Sequence, residues 1–212
     1  MMSLGGDWAR AWITLSAQKI SEHRAALNTL DRDIGDGDHG ENLDRGFQAV
    51  LPQLDALPAD ATPADVFKLV ATTLISTVGG AAGPLYGTAF LKGSVRIAGL
   101  TVLDGQAIVD LLAAARDGVV LRGKAEAGDK TMVDAWTPAV DAAARSHASG
   151  ATPTAILIAA ADAASAGALD TESWIARKGR ASYLGERAIG HRDPGAESSA
   201  LILHAAAESA NS

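Results

Sequence analysis

The chain has 212 residues, with 18 lysines and arginines against 25 aspartates and glutamates, giving a formal net charge of −7. That length holds one large domain or two small ones, and no Pro/Gly/Ser-rich linker divides it, so residues 1–212 read as a single domain. The acidic balance argues against a nucleic-acid partner, and the lack of cysteine excludes disulfides and thiolate zinc sites, which fits a reducing cytoplasm.

No apolar run reaches transmembrane length, and the start Met1-Met2-Ser3-Leu4 does not have a signal-peptide pattern, so no membrane partner is expected. The first predicted element is a long helix over residues 7–30. Trp8, Trp12 and Leu15 recur at i, i+4 and i+7, and Ile20 and Leu27 are again seven apart.

The next stretch, residues 31–42, organises the chain. It reads Asp31-Arg32-Asp33-Ile34-Gly35-Asp36-Gly37-Asp38-His39-Gly40-Glu41-Asn42. It has no apolar face to bury and reads as a loop. Clustered carboxylates repel one another, and a hard divalent cation such as Mg²⁺ or Ca²⁺ is their natural partner. Alternation puts Asp36 and Asp38 on one side, Gly35 and Gly37 let the backbone curl, and Asp31 can reach in from the preceding helix.

Three plainer readings compete. The spacing Gly35-x-Gly37-x-x-Gly40 is that of a dinucleotide fingerprint, but no strand precedes it and two aspartates would repel a bare phosphate. An EF-hand fails because its fifth and twelfth positions are Gly35 and Asn42. A solvated acidic turn is the third, and four aspartates with a following histidine weigh against it.

A second helix carries Leu43, Phe47, Val50 and Leu54, weakened near Pro52. Thr62-Pro63-Ala64-Asp65 is a helix start, followed by Val66, Leu69, Val70 and Leu74. The glycines of Val78-Gly79-Gly80-Ala81-Ala82-Gly83-Pro84 end that helix, and Pro84 opens another through Leu85, Ala89 and Phe90. This turn reads equally well as close helix packing or as a row of amides for phosphate.

Asp104 caps a helix with Ile108, Leu111, Leu112, Ala115 and Val119. Gly118 to Ala125 matches most of a P-loop, but Ala125 stands where the Mg²⁺-binding hydroxyl belongs and the preceding residues are helical, so a P-loop is rejected. Gly123 and the turn Gly128-Asp129-Lys130-Thr131-Met132 can still touch a ligand. Asp129 or Thr131 is expected to begin the next helix, with Val133, Trp136 and Val140 inward. Thr152-Pro153 begins another with Ile156, Leu157 and Ile158, whose flanking alanines favour helix over strand. Basic residues then gather at Arg177, Lys178, Arg180, Arg187 and Arg192, among too many glycines for a simple helix. That segment reads as a solvated loop or as a lid whose arginines meet phosphate. A helix over residues 197–207 closes the chain.

About eight alanine-rich amphipathic helices with short connections predict an all-α, antiparallel bundle or barrel with its site at one end. Trp8, Trp12, Trp136 and Trp174 read as core anchors. His23, His147 and His204 read as structural, and His191 is left open. His39 is expected to hydrogen-bond phosphate rather than ligate metal.

Four blocks together resemble the nucleotide-binding subunit L of dihydroxyacetone kinases: residues 30–40, residues 79–88, residues 128–132, and residues 178–187 with 190–195. The resemblance implies an eight-helix antiparallel barrel holding ADP or ATP with two Mg²⁺ ions at one end. It implies Asp31, Asp36 and Asp38 as metal ligands, with Asp33 outside the set. His39, Gly40, Glu41 and Asn42 would line the nucleotide and its phosphates. Gly80 and Ala81 would form the phosphate turn, Gly123 and Met132 would border the base, and Arg180, Asp193, Pro194 and Gly195 would close over the nucleotide. Ala82 departs from the pattern, where serine is expected, and the lost hydroxyl is worth about 1 kcal/mol.

The same resemblance implies a kinase subunit that is inactive alone. A partner subunit K would hold dihydroxyacetone. A phosphohistidine protein of the phosphotransferase system, subunit M, would recharge ADP while it stays bound, and the chain could pair as a homodimer. No general base is assigned, because phosphoryl transfer rests on positioning and charge neutralisation. Rival readings are a subunit of an ATP-fed kinase for another small ketose or polyol, a nucleotide-loaded regulator of a transcription factor, and a helical Mg²⁺ or Ca²⁺ protein without nucleotide.

Overall fold

A computed structural model describes residues 4–211 and forms eight α-helices. They are α1 (Gly6–Ile34), α2 (His39–Asp55), α3 (Pro63–Thr77), α4 (Ala82–Arg96), α5 (Gly105–Gly123), α6 (Val133–Ala148), α7 (Pro153–Asp170) and α8 (Pro194–Ser209). No strand occurs among the described residues. Each helix packs against the next, and α8 returns to pack on α1, so the helices close into an up-and-down barrel. The start at Met1-Met2-Ser3 lies outside the described residues.

An up-and-down ring sends every odd-to-even junction to one end. The α1–α2, α3–α4, α5–α6 and α7–α8 connections therefore meet there. They contain the acidic stretch, the Gly79-Gly80 turn, the 128–132 turn and the basic segment. Four blocks distant in sequence become one surface through topology alone.

The helix starts differ between the two ends. At the far end Thr62 forms a capping box with Asp65, Asp104 accepts from the Ala107 amide, and Thr152 accepts from the Ala155 amide. At the near end the N-cap residues of α2, α4 and α6 are Asp38, Ala81 and Met132, and none supplies a side-chain cap. Only Asp193, ahead of α8, does so there, through the Ala196 amide.

Several boundaries differ from expectation. Helix α1 continues through Asp31 to Ile34 and α2 begins at His39, so the stretch expected as a loop is helical in its first and last thirds and only residues 35–38 connect them; Ile34 is buried and holds the extra turn of α1 down. Neither Asp129 nor Thr131 starts α6. The Asp134 carboxylate instead accepts the Gly128 and Thr131 amides, which pulls these residues into a tight turn ahead of Met132. Pro52 lies inside α2, which runs on to Asp55.

One hydrophobic core runs through all eight helices. Trp8 and Trp12 sit at its centre, against Phe67 and Phe90. Their indole N–H groups donate to the carbonyls of Ala206 (3.1 Å) and Ile202 (2.8 Å), pinning the first helix to the last. Trp136 is also core, whereas Trp174 is only half-buried and stands after α7. Alanine dominates α7 and α8, allowing close approach of those helices. Because Trp12 both fills the core and closes the ring, Trp12→Ala should cost about 3–5 kcal/mol, read by urea denaturation.

Candidate functional site

The acidic cluster is built by the end of one helix and the start of the next. Asp31 lies on the last turn of α1 and is buried. Its Oδ2 accepts the backbone amides of Asp38 (2.9 Å) and His39 (3.1 Å), which fixes the turn into α2. Asp31, Asp36 and Asp38 each bring one ligand oxygen within 4.8 Å of the others. Asp36 and Asp38 are exposed. Such oxygen-only donors suit a hard divalent cation. Asp33 points elsewhere and pairs with His191 Nδ1 at 3.2 Å. Gly35 is required for a different reason than curling: its φ is −145°, and an added Cβ would lie 2.1 Å from Asp31 Oδ1.

Facing the carboxylates is the start of α4. Gly79, Gly80, Ala81 and Ala82 line the same cleft, of about 220 Å³. Gly80 adopts φ +64°, a left-handed conformation that favours glycine. With α2, α4, α6 and α8 all beginning here, four helix N-termini direct partial positive charge at the cleft. Asn42 lines it from α2 and accepts from Arg45 at 2.7 Å.

A second, smaller cleft of about 170 Å³ shares His39, Ala81, Ala82, Asp193 and Pro194 with the first. Leu85, Met132 and Gly195 add an apolar wall. Gly123 does not line it but stands behind, where an added Cβ would come 3.1 Å from Leu85. Charged and apolar halves therefore adjoin.

His39 lies between the two halves. Burial holds its imidazole well below the usual value, at about 4, against the opposing pull of Asp38 and Asp36. Its Nε2 is 2.9 Å from Ser198 Oγ, which is 2.6 Å from the Tyr86 hydroxyl. The neutral ring is thus tied to α8 and α4.

Two expected residues serve the frame rather than the lining. Gly40 is buried where α2 crosses α1, and an added Cβ would lie 2.2 Å from the Arg24 carbonyl. Glu41 is exposed, and its amide donates to Asn28 Oδ1 at 3.0 Å. Neither lines a cleft here.

The basic segment lies along the cleft and is termed the lid for its position. It contains a 3₁₀ stretch, Arg180–Ala188, broken at Gly185. Arg180 reaches back to Asp36 with a 2.9 Å ion pair, and Lys178 and Gly179 join the cleft wall. The sequence marked the 128–132 turn as able to touch a ligand without giving Lys130 or Thr131 a role; both line the cleft, and Lys130 is almost wholly buried. Its one signal was a lone cation between two aspartates and the N-terminus of α6. Of the histidines left as structural, His23 contacts its own helix and His204 bonds Ser165.

Asp193 lines both clefts. Burial pushes its carboxyl up to about 7; the Ala196 amide bond opposes this, Asp134 adds to it, Lys130 opposes it and Asp31 adds again. The folded state therefore binds this proton more tightly than the unfolded chain, whose value is about 3.9. That stability is present below about pH 4 and is lost as pH rises through about 7. Asp193→Asn keeps a capping oxygen but does not titrate. The melting-temperature difference, variant minus wild type, should therefore grow from pH 4 to 7, by an equivalent of about 3 kcal/mol. A difference that stays flat with pH would contradict the assignment.

Comparison with known proteins gives the family of the chain. A family model described as the DAK2 domain matches residues 33–208. The chain is 43% identical over 205 residues to the ADP-binding subunit DhaL of PEP-dependent dihydroxyacetone kinase 1 of Listeria innocua serovar 6a, covering 96% of each chain. It is 42% identical over 202 residues to the corresponding DhaL subunit of Escherichia coli K12, covering 95% of this chain and 96% of that one. Among solved structures it resembles the dihydroxyacetone kinase of C. freundii in complex with AMP-PNP and Mg²⁺, with TM-score 0.72 and 28% identity. That likeness covers 95% of this chain but only 33% of the C. freundii chain. The chain belongs to the DAK2-domain family.

Proposed function

We propose that this chain is the ADP/ATP- and Mg²⁺-binding subunit of a dihydroxyacetone kinase. It acts as one nucleotide-binding domain that passes a phosphoryl group, through its bound nucleotide, to dihydroxyacetone held by a partner subunit K. A phosphohistidine protein of the phosphotransferase system, subunit M, recharges the nucleotide in place, in the cytoplasm. The observation that carries this reading is the opposition of charge across one cleft. Three carboxylates face four helix N-termini and the cations of the lid. A lone cation satisfies only the first wall and a lone anion only the second. A nucleotide polyphosphate carrying divalent metal satisfies both.

The roles of the residues follow. Asp31, Asp36 and Asp38 hold two Mg²⁺ ions, with Asp31 fixed by its two amide bonds so that the site is formed in advance. Bound Mg²⁺ supplies charge neutralisation to the transferring phosphoryl group. The start of α4, at Gly80 and Ala81, meets the phosphates with backbone N–H groups. Neutral His39 donates one ring N–H toward them. Leu85, Met132 and Pro194 enclose the adenine, with Gly123 behind, and Asp193 and Gly195 shape its far wall. Arg180 exchanges its exposed ion pair with Asp36, worth about 1 kcal/mol or less, for a phosphate oxygen when the site is loaded. Gly40 and Glu41 support the turn of α2 against α1.

No residue here is assigned as a general base, and the sugar is expected on the partner. The chain alone with ATP, Mg²⁺ and dihydroxyacetone should form no dihydroxyacetone phosphate in a coupled assay. Adding subunit K with a charged phosphohistidine donor should give steady turnover. Turnover by the chain unaided would overturn the reading. Self-association into a homodimer is a further proposed contact, checked by sedimentation mass.

Ala82 lies in the first turn of α4 and lines both clefts. A serine there would add a hydroxyl beside the phosphate amides. Ala82→Ser should tighten Mg-ADP binding by about 1 kcal/mol in titration calorimetry.

A further inference from the structure

The lid is joined to the barrel by a narrow neck, and Lys130 lies across it. The Lys130 side chain is 1% exposed and its backbone adopts φ +62°, a conformation uncommon for a residue with a side chain. Its ammonium donates to the carbonyl of Trp174 at 3.0 Å and to that of Ala188 at 2.5 Å. These carbonyls stand where the chain leaves the barrel into the lid and where it comes back. No carboxylate is within ion-pair distance of this nitrogen among the described residues.

Burying an ammonium against neutral carbonyls is costly, and the more distant charges of Asp193 and Glu172 offset that cost only in part. Two further backbone bonds tighten the same neck: Arg177 N–H to Asp129 O at 3.0 Å, and Gly190 N–H to Glu172 O at 2.8 Å. Beyond the neck the lid has little holding it. Its apolar contacts form a separate small cluster of Ile34, Ala176, Ala181 and Ala188, packed by Leu184. Ile34 is the only barrel residue among these, and it lies three positions after Asp31. At the tip, the exposed Arg180–Asp36 pair joins residues 175–187 to α1, while His191 with Asp33 and Arg192 with Glu172 and Glu197 pair past the neck.

We propose that Lys130 is a positioning residue that clamps both ends of the lid, and that this clamp sets how long a nucleotide stays in the cleft. The clamp works through the backbone of the lid, so it holds Arg180, Lys178 and Gly179 in place without touching them. Lys130 also lines the cleft from the α5–α6 turn, so one side chain joins the floor of the phosphate site to its cover. This inference rests on the nucleotide-binding reading given above.

Two variants and one wild-type measurement test it. Lys130→Met keeps the length of the side chain and removes the donor; Lys130→Gln keeps a shorter donor that reaches one carbonyl. Dissociation of a fluorescent Mg-ADP analogue, followed by stopped flow, should be about tenfold faster in Lys130→Met and intermediate in Lys130→Gln, with association within about threefold of wild type. Amide hydrogen exchange should rise across residues 175–187 and stay unchanged in α3 and α5. Dissociation within about twofold of wild type in both variants overturns the clamp. So does exchange that rises evenly around the barrel, which marks general destabilisation. In the wild-type chain, acetylation of Lys130 by acetic anhydride, which the deprotonated amine attacks with loss of acetate and a proton, needs the neck to open, so with Mg-ADP bound its rate should match nucleotide release. Acetylation at a rate unrelated to release overturns the clamp without any variant having to fold. Should wild type take up no Mg-ADP, the proposed function fails, while exchange of the lid and acetylation without nucleotide still decide whether Lys130 holds the neck.

Discussion

The structure of the site depends on one carboxylate. Asp31 has to face a cluster of negative charge from a buried position, and it does so by dividing its oxygens. Oδ2 accepts the amides of Asp38 and His39, while Oδ1 lies against Gly35. The first arrangement turns the chain from α1 into α2 and offsets the burial of the charge. The second brings Asp36 and Asp38 alongside. Because those amides belong to the start of α2, the same bonds orient His39 into the cleft and Gly40 into the crossing with α1. Nothing else in the acidic stretch holds so many parts in register.

Around that carboxylate the barrel supplies a field. At the far end α3, α5 and α7 are capped by the side chains of Thr62, Asp104 and Thr152, whereas α1 starts at Gly5 without one. The starts of α2, α4 and α6 lack such caps and converge on the cleft. Capping is worth about 1 kcal/mol per helix, so its omission at three starts on one end is a stability cost borne at the site. The carboxylates and the amides would each be poorly satisfied alone. Their opposition across a few ångströms selects a ligand carrying charges of both signs.

Much of this could be read from the residues. The helices were legible because alanine-rich periodic segments alternate with Gly, Pro and Thr/Asp start signals, and three of the caps form as those residues predict. Metal ligation by Asp36 and Asp38 was suggested by spacing, and Asp31 by its place at the end of a helix. The turn holding Lys130 was legible as able to touch a ligand, but the burial of Lys130 was not, because only the return of the chain at Trp174 and Ala188 covers it. The extension of α1 to Ile34 was hidden likewise, because its cause is a contact with the lid, distant in sequence. The resemblance implied Gly40 near the nucleotide, and on its α1 side its space is set by the Arg24 carbonyl, a contact no local signal gives. Local signals place elements; contacts across the ring decide what a polar or small residue is for.

The central claim is that one Mg-nucleotide occupies this cleft. The direct measurement is to denature the purified chain, identify any released nucleotide by chromatography, and count metal in parallel. About one ADP or ATP per chain with about two Mg²⁺ is the predicted result, and a chain that purifies empty should still gain several degrees of melting temperature with Mg-ADP. A chain that purifies empty and melts at the same temperature with and without Mg-ADP would contradict the account.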